Sequence, residues 1–219
     1  MVTTKGNKGF VVFLVVALII SIVLGGLIFN NDNLTIVKNW VGGNIVLFSV
    51  VLLILKVAGL VWPPLPGGLF TFASVPILGW QTAFAIDLVG NLIGASVAWY
   101  LGGKYGESFM SQVFPQSMIE KIKKIRINKK HEFEGVFLFS LASGVVMIEI
   151  ANYALGYLKV NFVRFFVANT GSHIIRNAPL FYLFESVVNG GNATANILIV
   201  VFALILLLVF RKRYVHFDE

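Results

Sequence analysis

Six ionisable residues stand inside long apolar stretches of this chain: Lys56, Asp87, Glu149, Arg164, His173 and Arg176. An ionisable group within a bilayer costs about 2.5–3.5 kcal/mol or more, so each is a functional candidate by default. Acids at such depth can take up and release protons, whereas arginines stay charged and present several donors to a phosphate. Spacing sorts them into faces. Asp87, Gly90, Asn91 and Gly94 fall at i, i+3, i+4 and i+7, one small and polar side of a helix. Asn169, His173, Arg176 and Asn177 form a similar stripe, and Glu149 precedes Asn152 by three residues. The pattern predicts a polar groove in which Glu149 and Asp87 are proton-linked acids. Arg164 and Arg176 are its headgroup contacts, with His173 and Asn152 lining it. A structural reading stands beside this one. Asp87 and Arg164 can form an ion pair that holds two halves together. Arg164 and Lys56 can snorkel to an interface, and Gly90, Gly94 and Ala98 can serve only as a close helix contact.

Other chemistries fail on their motifs. There is no cysteine, and no His-Glu-x-x-His pair for zinc. His131 and His216 sit in polar, basic surroundings with no ligand spacing. Ser143-Gly144 with His173 resembles an intramembrane serine hydrolase, but Leu141 stands where a Gly-x-Ser-Gly motif requires glycine. The expectation is a protein that is not an enzyme and holds no metal or cofactor.

The elements that must position these residues are membrane spans. Of 219 residues, 58% are hydrophobic and 12% charged, with a mean hydropathy of +0.87. Water-soluble domains run about 45–50% apolar and about 25% charged, so a soluble or disordered chain is excluded. Residues 10–29 form a first apolar span, kept as an anchor because it lacks a signal-peptide cleavage pattern. Residues 30–44 are polar. Residues 46–62 are apolar but run into Pro63, Pro64, Pro66, Gly67 and Gly68, which no helix crosses. Residues 81–101 span. Residues 103–134 are basic and mostly polar, residues 135–160 are apolar but broken at Ser143 and Gly144, and residues 162–184 and 195–210 span again.

Charge then orients the spans. Lys and Arg number seven in residues 103–134, two at the N-terminus and three in the C-terminal tail, against one in residues 30–44 and none in 185–194. The net charge of +7 therefore reads as a topology signal rather than a nucleic-acid footprint, and places both termini and the 103–134 loop in the cytoplasm. Only one arrangement satisfies that count: 46–80 enters and leaves on the outer side, 135–160 on the inner side. Both become re-entrant hairpins. Glycine spacing agrees. Gly67, Gly79 and Gly94 are separated by 12 and 15 residues, as are Gly144, Gly156 and Gly171, and Asp87 and Arg164 each follow the middle glycine by eight. Opposed repeats with broken helices build midplane sites in many transporters.

The predicted fold is thus an all-α integral membrane protein: an inverted repeat of two re-entrant hairpins, each followed by a transmembrane helix, plus N- and C-terminal transmembrane helices. Its parts are an anchor and outer loop over 1–45, a core over 46–190 and a terminal helix with basic tail over 191–219. Within the basic loop, residues 115–131 are predicted as a surface helix. Ser117 and Glu120 fit a capping box, and Met118, Ile122 and Ile125 share a face. Lys121, Lys123, Lys124 and Arg126 would rest on anionic headgroups. The plainer reading is a topogenic loop. Glu149, near the break at Gly144, would meet water and free peptide groups, and desolvation there favours its protonated form.

Leu65-Pro66-Gly67, Pro76-Ile77-Leu78-Gly79, Gly90-x-x-x-Gly94-Ala95 and Tyr100-x-Gly102-Gly103-Lys104-Tyr105-Gly106 together resemble the DedA family, the VTT-domain or SNARE-associated Golgi protein superfamily. Asn152-Tyr153-x-x-Gly156, then Gly171 and Pro179 in a Phe-rich span, resemble its second half more loosely. The resemblance covers roughly residues 40–190. It implies two inverted re-entrant hairpins and a membrane lipid transporter, acting by phospholipid scrambling or by flipping a polyprenyl-phosphate carrier, in the plasma membrane of a prokaryote. The partners it implies are membrane lipids with anionic headgroups. The alternative class on the same fold is a proton- or ion-coupled transporter of a small solute, and a third is a structural organiser of the membrane. The chain departs from the pattern in three places. Gly68 stands where many members carry an acid, and Leu141 and Gly144 stand where many carry Arg and Pro. The family's phosphate-gripping arginine is therefore displaced, with Arg164 or Arg176 as the substitutes.

Overall fold

The structure is a computed structural model that describes residues 31–62, 65, 67–114, 116–125, 127, 129–143 and 148–191. Every regular element among them is helical. In chain order these are α1 (Asn31–Val61), α2 (Gly67–Ala73), α3 (Val75–Leu78), α4 (Trp80–Val113), α5 (Gln116–Lys123), a 3-10 turn (Lys129–His131), α6 (Glu132–Ser143), α7 (Ile148–Tyr157) and α8 (Phe162–Val188). Two are long and apolar enough to cross a membrane, Lys38–Val61 and Trp80–Ser111. The predicted spans at 10–29 and 195–210, and the predicted breaks at Pro63, Pro64, Pro66 and Gly144, lie outside the described residues.

Three boundaries differ from the sequence reading. The stretch 30–44, expected as an outer loop, is helical from Asn31. Its regular geometry fails only at Asn44 (φ −134°, ψ 28°), whose side-chain amide donates to the Trp40 carbonyl at 2.9 Å. A short amide side chain competes with the helical ladder in this way. The expected loop 103–134 starts instead as helix, because α4 runs on to Val113. Met110 and Phe114 are buried there with Ile119, Ile122 and Tyr153, so apolar burial overrides local polarity. Gly106, at φ +57°, absorbs the one departure from helical geometry inside α4. Finally, the surface helix is short. It starts at Gln116, leaving Ser117 inside it rather than at its cap, and ends at Lys123.

The remaining geometry follows from close contacts. After α1 ends, Gly67 lies against Leu55 and Lys56, so the chain has doubled back; a Cβ on Gly67 would come within 2.7 Å of the Leu55 carbonyl oxygen. α2 and α3 continue that return. Gly79, at φ +78°, then turns the chain into α4. Along α4, Gly90 faces Leu53 and Lys56, and Gly94 faces Val57 and Leu60, so α1 and α4 run parallel.

In the second half a further pair of helices packs side by side. Arg164 meets Glu132, Gly171 meets Phe137 and Arg176 meets Ser140, so α6 and α8 run parallel with α7 between them in sequence. The two pairs are antiparallel to each other: Trp80 meets Glu185, Asp87 meets His173, and Trp99 meets Phe165. Gly94 against Leu60 and Gly171 against Phe137 are the same contact displaced by 77 residues at both ends. Other positions related by that shift differ in conformation. Gly79 is a left-handed turn residue, whereas Gly156 lies within α7. There α7 crosses α4 at backbone distance: a Cβ on Gly156 would strike the Trp99 carbonyl, and one on Gly102 the Tyr153 carbonyl.

Candidate functional site

Asp87 is the hub of the site, and its side chain is fully buried. On one side, Oδ1 receives Lys56 Nζ at 2.5 Å and lies 2.7 Å from Thr71 Oγ1. On the other, Oδ2 meets His173 Nε2 at 2.7 Å and accepts from the Asn177 side-chain amide at 3.3 Å. α4 thus supplies the acid, α1 the amine, α2 the hydroxyl, and α8 the imidazole and amide. A buried carboxylate needs such partners, since leaving it bare would cost several kcal/mol (about 3–5 when one partner of a buried pair is removed). The Thr71 hydroxyl also lies 2.9 Å from the Gly68 carbonyl and has one proton to divide between the two acceptors.

The local sequence explains how Lys56 gets there. Its stem lies across Gly90, where a Cβ would collide with the lysine Cγ. The Gly90 position that reads as a helix-contact glycine is therefore a channel for the amine. Lys56 is 5% exposed, so it does not snorkel. Phe84 stacks on His173, with ring centroids 6.4 Å apart, and covers the imidazole from the other side.

Arg176 stands beside this hub without bonding Asp87. Its Nε donates to Asn177 Oδ1 at 3.0 Å and one terminal nitrogen to the Ser140 carbonyl at 3.0 Å. Glu149, half-buried in the first turn of α7, lies within electrostatic range of both Lys56 and Arg176. Buried amides without a protein partner lie on α4, α7 and α8. Asn91 and Asn152 have neither side-chain atom bonded, and Asn169 has a free carbonyl oxygen. Buried polar groups are satisfied in the great majority of cases, so Asn91, one helical turn from Asp87, and Asn169, one turn from His173, are candidates for meeting a polar partner.

The structure brings Asp87 and His173 into contact, with Arg176 joined to them through Asn177 and Glu149 within electrostatic range of Lys56 and Arg176. It does not gather Arg164. That residue sits in the first turn of α8, its side chain 52% exposed, and pairs with Glu132 at 2.9 Å; the ion pair with Asp87 does not form. Position near the α8 N-terminus decides this. Asn161 caps that helix by accepting from the Val163 and Arg164 amides, which sets Arg164 at the helix end, far from the level of Asp87. Two hub members were not assigned from sequence. Lys56 is a lone cation in an apolar run, and such residues commonly snorkel. Thr71 carries no signal of its own.

The basic surface divides as well. Ile119 and Ile122 face the protein core, so the apolar side of α5 packs on α4 and α7 rather than lying free for lipid. Lys123 pairs with Glu107 at 2.6 Å, and that contact holds its amine pKa above the ordinary lysine value. Lys124 is exposed. Arg126 and the side chain of Lys121 lie outside the described residues. No group of residues that could hold a metal ion occurs among the described residues.

The regular elements of the described residues are all helical, and two of them are apolar and long enough to cross a membrane. A VTT-domain family profile matches residues 65–186, more than half of the sequence, and the chain belongs to that family, the DedA or SNARE-associated group. It is also 29% identical over 126 residues to an uncharacterized protein of Methanocaldococcus jannaschii, covering 57% of this chain and 76% of the relative. No solved structure matches it.

Proposed function

We propose that this protein is a DedA-type lipid transporter, moving phosphate-bearing lipids between the leaflets of the membrane, with proton uptake by Glu149 and Asp87 linked to the movement. One observation carries the reading. Helices from both halves of the VTT domain converge on Asp87, and Asn91 and Asn169, one helical turn from Asp87 and His173, are buried with unpaired atoms. A fold that had only to stand would be as stable or more so with apolar side chains there. Arg176 is the headgroup contact, since two of its donors are bound to Asn177 and Ser140 and its guanidinium has five. Asn152 and His173 line the path.

The architecture proposed with this function is two oppositely oriented re-entrant hairpins, 46–80 and 135–160, in a multi-pass protein with cytoplasmic termini. Two features support it: the parallel pairs α1/α4 and α6/α8 run against each other, and the Gly94–Leu60 contact recurs at Gly171–Phe137.

The test is the purified protein in liposomes carrying a dye-labelled phospholipid, with a membrane-impermeant quencher outside. Leaflet exchange above protein-free vesicles is expected, with a rate that depends on pH. Glu149→Gln should flatten that pH profile while leaving the protein folded, because Gln matches the protonated acid in size and hydrogen bonding. Arg176→Ala should slow phosphate-bearing lipid at every pH, since arginine stays charged throughout. Solute uptake without lipid exchange would reassign the site to a solute transporter. Neither activity would leave the hub a structural tie.

A further inference from the structure

A second polar site lies at the other end of α4. From Asp87 to Lys104 the helix climbs 17 residues, about 25 Å at 1.5 Å per residue. At that level a cleft of about 430 Å³ opens where α4 passes the turn between α7 and α8. Its walls include Trp99, Tyr100, Lys104, Lys159, Asn161 and Phe162. The volume falls in the range of ligand pockets, about 300–1,000 Å³.

Two amines and an aromatic wall give the cleft its chemistry. Lys104 Nζ stands 5.3 Å from the ring centres of both Tyr100 and Tyr105, within cation–π range, and has no carboxylate partner among the described residues. Trp99 adds an indole N–H that is buried and has no protein acceptor.

Lys159 is the more telling residue. It is the one non-glycine residue with positive φ among the described residues, at +55°. The hydrogen bonds from the Lys159 amide to the Gly156 carbonyl and from the Val160 amide to the Leu155 carbonyl close α7 in a Schellman motif, with Lys159 at its left-handed position. Glycine is the residue that takes that position without strain. A lysine stands there instead, and its amine reaches across to the Gly103 carbonyl, on the cleft wall next to Lys104. Backbone strain of this kind concentrates at functional sites.

We propose that this cleft binds a phosphate-bearing anion, gripped by Lys104 and Lys159 against the Trp99, Tyr100 and Phe162 wall. The aromatic wall, exposed at the end of a membrane-length helix, favours the headgroup of an anionic lipid as the source. The site does not rest on the transport reading, because binding here is measured without any movement between leaflets.

The experiment uses the full chain in neutral detergent and measures retention of short-chain phosphatidylglycerol, phosphatidylcholine and inorganic phosphate by native mass spectrometry and equilibrium titration. Phosphatidylglycerol is expected to bind at least tenfold more tightly than phosphatidylcholine. Lys104→Gln with Lys159→Gln should weaken phosphatidylglycerol at least tenfold, while Lys38→Gln, a charge removed from the exposed N-terminal part of α1, leaves it unchanged. Lys159→Gly separates binding from folding. It relieves the left-handed strain, so the melting temperature should hold or rise while phosphatidylglycerol retention falls. Tight binding of inorganic phosphate alone, lost in the same variants, would support the site and assign it a soluble anion. The proposal is overturned if the double variant or Lys159→Gly retains phosphatidylglycerol as the parent does, if Lys38→Gln loses as much, or if neither probe binds.

Discussion

Asp87 and Lys56 are a buried pair, with side chains 0% and 7% exposed and 2.5 Å between charged atoms. Breaking such a pair from either end leaves an uncompensated charge and costs about 3–5 kcal/mol. Lys56→Met and Asp87→Asn should each destabilise the protein on that scale. The double variant should lose less than the sum of the two, with a coupling of about 1–3 kcal/mol, read from denaturant unfolding in detergent. Strictly additive losses would mean that the two residues do not act as a unit. Glu132 tests a second residue-level claim. Lys129 at 2.6 Å, and then Arg164 at 2.9 Å, hold its carboxyl below the ordinary carboxylate range despite its burial. A depressed folded value means stability that is fully present above the unfolded pKa, about 4.3, and is lost as pH falls through the lower folded one. Glu132→Gln should therefore show a smaller drop in melting temperature than the parent between pH 6 and pH 3. An equal drop in the two proteins would place the acid sensitivity elsewhere.

At the scale of elements, the crossing of α4 and α7 depends on missing side chains. Gly156→Ala puts a methyl into the Trp99 carbonyl, and backbone cannot swing aside as a side chain can. A loss of about 1–3 kcal/mol is expected for overpacking of this kind. Gly42→Ala is the contrast. Nothing lies within 4 Å of a Cβ there, so alanine in that helical position should hold or raise stability. A thermal shift that ranks the two variants the other way round would remove the crossing from the account. Sequence already displayed much of this level. The polar face of α4 was visible in the spacing of Asp87, Gly90, Asn91 and Gly94, and the stripe on α8 in Asn169, His173 and Arg176. What it concealed was which faces meet. Arg164 follows Gly156 by eight residues as Asp87 follows Gly79, but it is set at a helix end by the Asn161 cap, and Glu132, its partner, reads only as one acid in a basic loop. Likewise the polarity of residues 103–113 hid a helix, because the burial of Met110 against Tyr153 depends on a residue more than 40 positions away.

At the scale of the whole molecule, the proposed topology puts α5 and the C-terminal end of α8 on opposite sides of the membrane. The chain has no cysteine, so single introduced ones report cleanly. Ser117, exposed on α5, and Asn189, exposed at the α8 C-terminus, should label with an impermeant thiol reagent from opposite faces of sealed vesicles. Labelling of both from one face would defeat the two-hairpin arrangement. The backbone crossing of α4 and α7 then has a mechanical meaning. Two helices whose carbonyls touch neighbouring glycines cannot slide past each other, but they can tilt, which makes the crossing a fulcrum. Asp87 sits 15 residues along α4 from Gly102, a lever arm of about 22 Å. A tilt of roughly 10° about that fulcrum would carry Asp87 through about 4 Å on such an arm. That stroke exceeds every bond now holding the carboxylate, the longest of which is 3.3 Å. A small rocking motion at the cleft end would therefore be enough to unlatch the buried hub at the other.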